Sequence, residues 1–342
     1  MSGEIATRPA PRCMLCGEEG RLLYAQLRDR LFSAPGEWSV RLCADRFCGL
    51  MWLDPMPEVS EIYKAYETYY THAEALARPG GLARLFAAAK RGYLANHYGY
   101  GEGVSVAERL AGLLPWLYPG RPAELDFSVM WLSRSTRGRL LDVGAGAGWL
   151  VAHMQRLGWR AEGLDFDSKA VARARARGLV VYLGTLASQR FADASFDAVT
   201  MSHSIEHVHD PVAWLAEAHR ILRPSGRLAL ATPNSASMLH RRFCQNWFPL
   251  DPPRHLQLFN RLALDAALRR AGFTRLRLFT SVRDANGAYL GSRAIRKRGH
   301  YDMTARHPAL ARFAARMVQL RELERSAANP DAGEDLVALA EK

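Results

Sequence analysis

The chain has 342 residues, enough for one large domain and a smaller one. No apolar run approaches the ~20 residues of a membrane span, and the opening MSGEIATRPAPR lacks the apolar core of a secretory signal. The expectation is therefore a cytoplasmic protein with no membrane span. The formal net charge is +12, yet its basic residues are scattered, the densest cluster being Arg293, Arg296, Lys297 and Arg298. A nucleic-acid footprint needs a basic stripe with exposed aromatics, so a nucleic-acid partner is disfavoured.

Four of the five cysteines fall in two close pairs, Cys13 with Cys16 and Cys43 with Cys48. Each pair ends at a glycine, Gly17 or Gly49, as in turns that aim two thiolates at one tetrahedral ion. The spacing predicts a structural Zn2+ held by Cys13, Cys16, Cys43 and Cys48, with its shell closed. Short strands are expected at 22–26 and 38–42, so residues 1–55 read as a zinc-ribbon-like module. So small a module has little core, and the metal supplies most of its folding free energy.

Residues 56–135 read as a helical, substrate-side linker. In it Tyr63, Tyr66 and Tyr70 share one helical face.

The strongest motif is Asp142-Val-Gly144-Ala145-Gly146-Ala-Gly148. It reads as a buried strand over 140–143, a glycine turn that brings backbone close to a ligand, and a helix over 149–157. A dinucleotide fingerprint needs a third glycine where Trp149 stands, so that reading fails. The next strand ends in Asp165-Phe166-Asp167, where a carboxylate is placed for ribose hydroxyls. Ser168 or Asp167 caps the helix that follows. A third strand over 179–183 runs into Gly184-Thr185-Leu186. A fourth over 195–203 ends at Ser202-His203. A helix from Asp210-Pro211 and a fifth strand over 227–232 complete the alternation, which predicts a doubly wound, mainly parallel α/β sheet.

The D-x-G-x-G-x-G motif and the elements after it resemble class I S-adenosylmethionine (SAM)-dependent methyltransferases. The resemblance covers Leu140 to about Phe273. It implies a Rossmann-like sheet of strand order 3-2-1-4-5-7-6 and a SAM-binding domain over 136–342. It also implies cofactor contacts from Asp142, Gly144, Ala145, Gly146, Gly148, Asp165, Phe166, Thr185, Leu186 and Ser202. In such a domain the last strand is expected at 334–341, which leaves about 285–332 as a mostly helical insertion. Its apolar stripe, Leu310, Phe313, Met317 and Leu320, is expected to pack on the main domain.

The segment Cys48-Gly-Leu, Asp54-Pro-Met-Pro57 and Tyr69-Tyr70 resembles zinc-ribbon methyltransferases of sugar and polysaccharide pathways. That implies a small-molecule acceptor, a sugar, nucleotide-sugar or glycan precursor. An rRNA or tRNA methyltransferase with an N-terminal zinc site is the alternative.

Catalysis needs a base near the methyl group, and histidine suits that task. The candidates are His203, His207 and His255. Glu206 and His207 also resemble a pair that carries metal in quinone-type methylases. The stretch from Phe243 to His255, with Trp247 and Arg254, is the expected acceptor loop, Arg254 being suited to a phosphate. The sequence fixes neither the methylated atom nor the oligomeric state.

Overall fold

The computed structural model describes residues 4–66, 81–118 and 120–342; Tyr70 lies outside them. The N-terminal part carries short strands β1 (Thr7–Arg8), β2 (Gly20–Leu27), β3 (Trp38–Cys43), β4 (Met51–Leu53) and β5 (Met56–Pro57). Helices α1 (Gly81–Tyr98), α2 (Val106–Ala111) and α3 (Arg121–Phe127) follow. The alternating part runs β6 (Arg139–Val143), α4 (Trp149–Arg156), β7 (Arg160–Asp165), α5 (Ser168–Ala176), β8 (Val181–Leu183), α6 (Leu186–Gln189), β9 (Phe196–Ser202), α7 (Pro211–Ile221) and β10 (Leu222–Pro233). The chain ends with α8 (Met238–Phe243), β11 (Gln257–Leu258), α9 (Arg261–Arg270), β12 (Arg275–Ser281), α10 (Ala285–Arg298), α11 (Ala309–Ala328) and β13 (Asp335–Glu341).

Seven strands form one sheet in the order β12-β13-β10-β9-β6-β7-β8. Numbered one to seven along the chain from β6, this is the expected order 3-2-1-4-5-7-6. The strands β6, β7, β8 and β9 pair in parallel, so their carboxyl ends line up on one edge. Ligands of open α/β sheets sit at that edge. The fold is the Rossmann-like class I methyltransferase fold.

The chain divides into two compact units. One comprises Tyr70–Ser202, Glu217–Leu230 and Ala338–Lys342. Its core is the apolar run of the central strands: Leu140, Leu141, Val143, Phe196, Ala198, Val199 and Met201 are fully buried. Strands covered on both faces have continuous apolar sequence for this reason. Burying each large side chain contributes about 1.5–3 kcal/mol. Helix starts are set locally: Asp167 accepts from Lys169 N to cap α5, and Thr185 accepts from Ser188 N to cap α6.

The other unit comprises Met1–Tyr69, His203–Ala216 and Ala231–Val337. It holds a four-stranded sheet in the order β11-β4-β3-β2. The strands β2 to β4, of which β3 ends at Cys43, are thereby extended by β11, whose Gln257 pairs with Trp52. Trp38, Trp247, Phe259 and Phe273 are among its fully buried large apolar side chains.

Residues 285–332 hold α10 and α11, and the face of α11 that is buried differs from the expected apolar stripe. Leu310 and Phe313 are 79% and 60% exposed and Met317 is also exposed, whereas Ala311, Ala315, Val318, Gln319 and Glu322 are buried. Two faces of α11 have helical spacing. The face with small residues packs, because alanines let α10 and α11 approach closely. Gln319 then ties the pair, donating to Val282 O at 2.9 Å while its Oε1 accepts from Asn286 at 2.8 Å.

Candidate active site

The four paired cysteines converge. Their Sγ atoms lie within 4.8 Å of one another, with Cys13–Cys48 at 3.6 Å and Cys16–Cys43 at 3.2 Å. Sulfurs about 2.3 Å from one ion stand roughly 3.8 Å apart, so the cage fits zinc. No disulfide joins any of the four. The thiol of Cys13 is pulled down to about 5, chiefly by the hydrogen bond from Cys48. The second knuckle requires its glycine: Gly49 has φ +66°, and a Cβ there would stand 2.2 Å from Asn260 Nδ2.

At the carboxyl ends of β6 and β7 the glycine turn is tied to acidic groups. Asp165 accepts from Gly146 N at 2.7 Å and from Asp167 N at 2.8 Å. Thr200 donates to the buried Asp142 at 2.7 Å. Burial, with the nearby charge of Asp165, pushes Asp142 up to about 7 despite the Thr200 bond. Asp142 has no cationic partner among the described residues, so it fits a ligand's ammonium group. Gly144 N and Ala145 N both bond Leu164 O, which fixes the turn. Gly146 has φ +52° with open space where a Cβ would point, and Gly148 ends the turn at φ +79°. Phe166 is exposed beside Asp165, Thr185 is exposed, and Ser202 is half-buried at the end of β9. The Leu186 side chain is buried, so only its backbone is available to a ligand.

The three candidate histidines lie in the other unit. His203 directly follows β9 and has φ +49°. Its Nδ1 is 3.4 Å from Glu206 Oε1, and Arg283 Nη1 lies 3.2 Å from its Nε2. Guanidinium only donates, so the neutral ring carries its hydrogen on Nδ1, toward Glu206, and its lone pair on Nε2. When protonated, Nε2–H has Asp335 at 3.7 Å and Asp284 at 3.8 Å. Burial works against this imidazolium, but the hydrogen bond to Glu206 and the charges of Asp335 and Glu206 outweigh it and push the ring up to about 9. Glu206 is wholly buried; burial raises it, but His203, His207 and His255 hold it down at about 2. Thr232 donates to its second oxygen at 2.9 Å.

His207 and His255 stand face to edge, ring centroids 4.7 Å apart. His207 Nδ1 bonds Arg254 O at 3.0 Å and His255 Nδ1 bonds Pro249 O at 2.7 Å. A carbonyl only accepts, so both rings carry hydrogen on Nδ1 and leave Nε2 with its lone pair. Burial lowers both, His207 to about 4 with the charge of His255 adding to the effect. Glu206, His207 and His255 each offer a ligand atom within 4.8 Å of the others. Two nitrogens and one carboxylate suit a divalent transition ion.

Several residues predicted for the acceptor are structural. Arg254 is 0% exposed and grips Asp29 with two bonds of 2.8 Å, and it also bonds Asp251. Its guanidinium is saturated, so it does not meet a phosphate. Trp247 is buried and donates to Glu334 at 2.5 Å. Tyr66 bonds His207 Nδ1 at 3.1 Å, whereas Tyr63 is exposed. Sequence reasoning missed Asp29, Arg283 and Asp335, which lie 174, 80 and 132 positions from His203 in the chain, without any local motif. In the same unit an open cleft of about 530 Å³ is lined by Tyr24, His240, Arg21, Arg46, Arg241 and Asn260, among others. Its size is that of small-molecule sites.

Residues 121–278 match the family described as "Methyltransferase domain". Over that stretch the chain is similar to class I SAM-dependent methyltransferase domains. It is 34% identical over 182 residues to a protein of Mycolicibacterium smegmatis named "Probable S-adenosylmethionine-dependent methyltransferase", covering 52% of this chain and 63% of that one. It is 36% identical over 127 residues to a ubiquinone biosynthesis O-methyltransferase of Xanthomonas oryzae, covering 34% and 52%. With a malonyl-[acyl-carrier protein] O-methyltransferase of Hahella chejuensis it shares 30% identity over 150 residues, covering 42% and 53%. The matches thus span between half and two thirds of these relatives. Among solved structures it is similar to a SAM-dependent methyltransferase from Mesorhizobium loti, at 20% identity and TM-score 0.45, covering 64% of this chain and 98% of that one. It is also similar to Haemonchus contortus phosphoethanolamine N-methyltransferase 2 in complex with SAM, at 16% identity and TM-score 0.47, covering 90% and 70%.

Proposed function

We propose that the protein transfers the methyl group of SAM to a hydroxyl or enol of a small-molecule acceptor, with His203 as general base. The observation that carries this reading is the His203–Glu206 pair directly after β9, with the Nε2 lone pair turned away from Glu206. In this reading the acceptor oxygen attacks the sulfonium methyl carbon and the C–S bond breaks. The acceptor's proton passes to His203 Nε2, and S-adenosylhomocysteine leaves. SAM is already activated, so the remaining work is alignment and proton removal.

Asp142, the Gly144–Gly148 turn, Asp165, Phe166, Thr185, the Leu186 backbone and Ser202 are the groups we assign to SAM. Cys13, Cys16, Cys43 and Cys48 are assigned to a structural zinc. The resemblance at Cys48 to Tyr70 supports a sugar, nucleotide-sugar or glycan precursor as acceptor. The relatives named for ubiquinone and malonyl-[acyl-carrier protein] support a small molecule in the broader sense.

A second reading has its own observation. The two Nε2 lone pairs of His207 and His255 beside Glu206 fit a divalent ion, which would polarise an acceptor oxygen when bound. Adding Mn2+ or Mg2+ to protein that keeps its cysteine-bound zinc separates the readings, because the His203 mechanism needs no ion beyond that structural one.

The test is release of S-adenosylhomocysteine with nucleotide-linked keto sugars, glycan precursors and phenolic acceptors, and with total RNA in parallel. Methylation of a small molecule, lost in His203→Ala, supports the reading. Methyl incorporation only into RNA overturns the acceptor class.

A further inference from the structure

Helix α11 of the insertion sends one acidic side chain inward. Glu322 is fully buried, and its Oε1 accepts from Glu334 N at 2.7 Å. Glu334 is buried as well, and its Oε1 accepts from Trp247 Nε1 at 2.5 Å. Among the described residues the Oε2 atoms of both carboxyls have no hydrogen-bond partner. Neither carboxyl has a basic side chain within ion-pair range among the described residues.

The groups facing the pair explain its state. From the turn at 247 comes the Trp247 indole, from the start of α8 the Ser237 hydroxyl, and from β13 the Asp335 carboxyl. Asp335 in turn faces His203, Arg283, Asp284 and Glu206. Thus the charged neighbour nearest the pair is another acid. A buried carboxylate without a cation is strongly disfavoured against its neutral form. Accordingly burial pushes Glu322 up to about 8, and Glu334 is raised well above the usual carboxylate range by burial and by Glu322.

We propose that Glu322 and Glu334 form a proton-holding pair that seats Asp335 against His203. At least one proton stays on the pair in the working protein. A proton on an Oε2 atom turns an orphaned acceptor into a donor, and it keeps the start of β13 from carrying three adjacent negative charges. Glu322 grips the backbone of Glu334, and the next residue, Asp335, reaches His203 Nε2 at 3.7 Å and Arg283 at 3.5 Å. The insertion is thereby coupled to the histidine through β13. Glu322 acts through another group, so it is a positioning residue. Its kinetic consequence rests on the reading of His203 as base; the proton on the pair does not.

Three measurements on the full chain test this. Infrared difference spectra of wild type against Glu322→Gln at pH 7 should show the carbonyl band of a protonated carboxylic acid, lost in the variant. Only carboxylate bands in the wild type would overturn the proposal. Glu322→Gln should also melt increasingly above wild type as pH rises from 5 to 8. The wild type's stability from the neutral pair is complete below about 4.5, the ordinary glutamate value, and is lost as pH rises through about 8. Parallel melting curves across that window would contradict it.

For positioning, the NMR titration of His203 should be unchanged in Glu322→Gln and displaced in Glu322→Ala, by a tenfold change in proton affinity or more. An unmoved titration in Glu322→Ala overturns the coupling. If Glu322→Ala does not fold, Glu322→Asp, whose shorter side chain withdraws the oxygen from Glu334 N, replaces it in the same titration with the same displacement expected. Should no methyl transfer be found even in the wild type, the functional reading fails, while the infrared and NMR results still decide the pair.

Discussion

Glu206 Oε1 lies 3.4 Å from His203 Nδ1, three residues away across a single turn that starts where β9 ends. This pairing fixes the ring so that Nε2, which faces Arg283 Nη1 at 3.2 Å, is the nitrogen that carries the lone pair. Its Glu206 partner is wholly buried, so the carboxylate is screened little by water and acts on the ring at near full strength. Removing the imidazole in His203→Ala should leave SAM affinity within about twofold. It should cut turnover by about 10²–10⁴-fold, the range of a positioned general base. Calorimetric SAM titration beside initial rates checks both halves.

The pH dependence follows from the same pair. Since His203 is pushed up to about 9, the neutral ring needed for proton removal gains population as pH rises through that value. The rate at low acceptor concentration should therefore climb between about pH 7 and 9 and level off above. Stability runs the other way: the contribution of the His203 charge is complete below about 6.5 and is lost as pH rises through about 9. Rate profiles and melting curves over the same buffers would show the two trends crossing; a flat rate profile would remove His203 as base.

Asp165 holds the glycine turn through Gly146 N and is assigned to the ribose hydroxyls. Asp165→Ala should weaken SAM binding by about 10- to 100-fold, the range for hydrogen bonds to a charged group. Asp142→Asn should weaken it mainly above pH 7, where the native carboxyl is ionised, given its value of about 7. Affinities of both variants at pH 6 and pH 8 distinguish the two roles.

The cysteine cage predicts one zinc per chain by elemental analysis. Stripping it with a strong chelator, or replacing Cys13 with serine, should lower the melting temperature and loosen β2 to β4, because metal binding contributes to folding outright. Protein purified without metal and equally stable would contradict the zinc assignment.

Arg254 makes a stability prediction distinct from catalysis. Arg254→Met strands Asp29 and Asp251 without their cation, and losing one partner of a buried ion pair typically costs about 3–5 kcal/mol. Denaturant unfolding should show a loss of that order. A neutral result would mean that the buried carboxylates find protons cheaply.

The fold was legible because its signals are local. Glycines at 144, 146 and 148, an acid closing the next strand and continuous apolar strands each follow from a few consecutive residues, and so did the four cysteines. The surroundings of the proposed base were less legible. His203, Glu206 and His207 could be found because one turn carries them. Asp335, Arg283 and Asp29 meet their partners only through the fold. Arg254 misled for a related reason: an arginine in a loop looks available, and only the fold shows that Asp29, far away in the chain, has claimed it. On α11 two faces had helical spacing, and the larger residues drew the wrong choice because close helix packing favoured alanine.

The central claim is most directly tested by mixing the purified chain with SAM and a small-molecule acceptor panel at pH 8.5, and measuring S-adenosylhomocysteine release and product mass for wild type and His203→Ala. The account predicts one methyl group added to a small molecule by the wild type and a loss of about a hundredfold or more in the variant. Equal turnover by the two proteins, or methyl transfer confined to RNA, would contradict it.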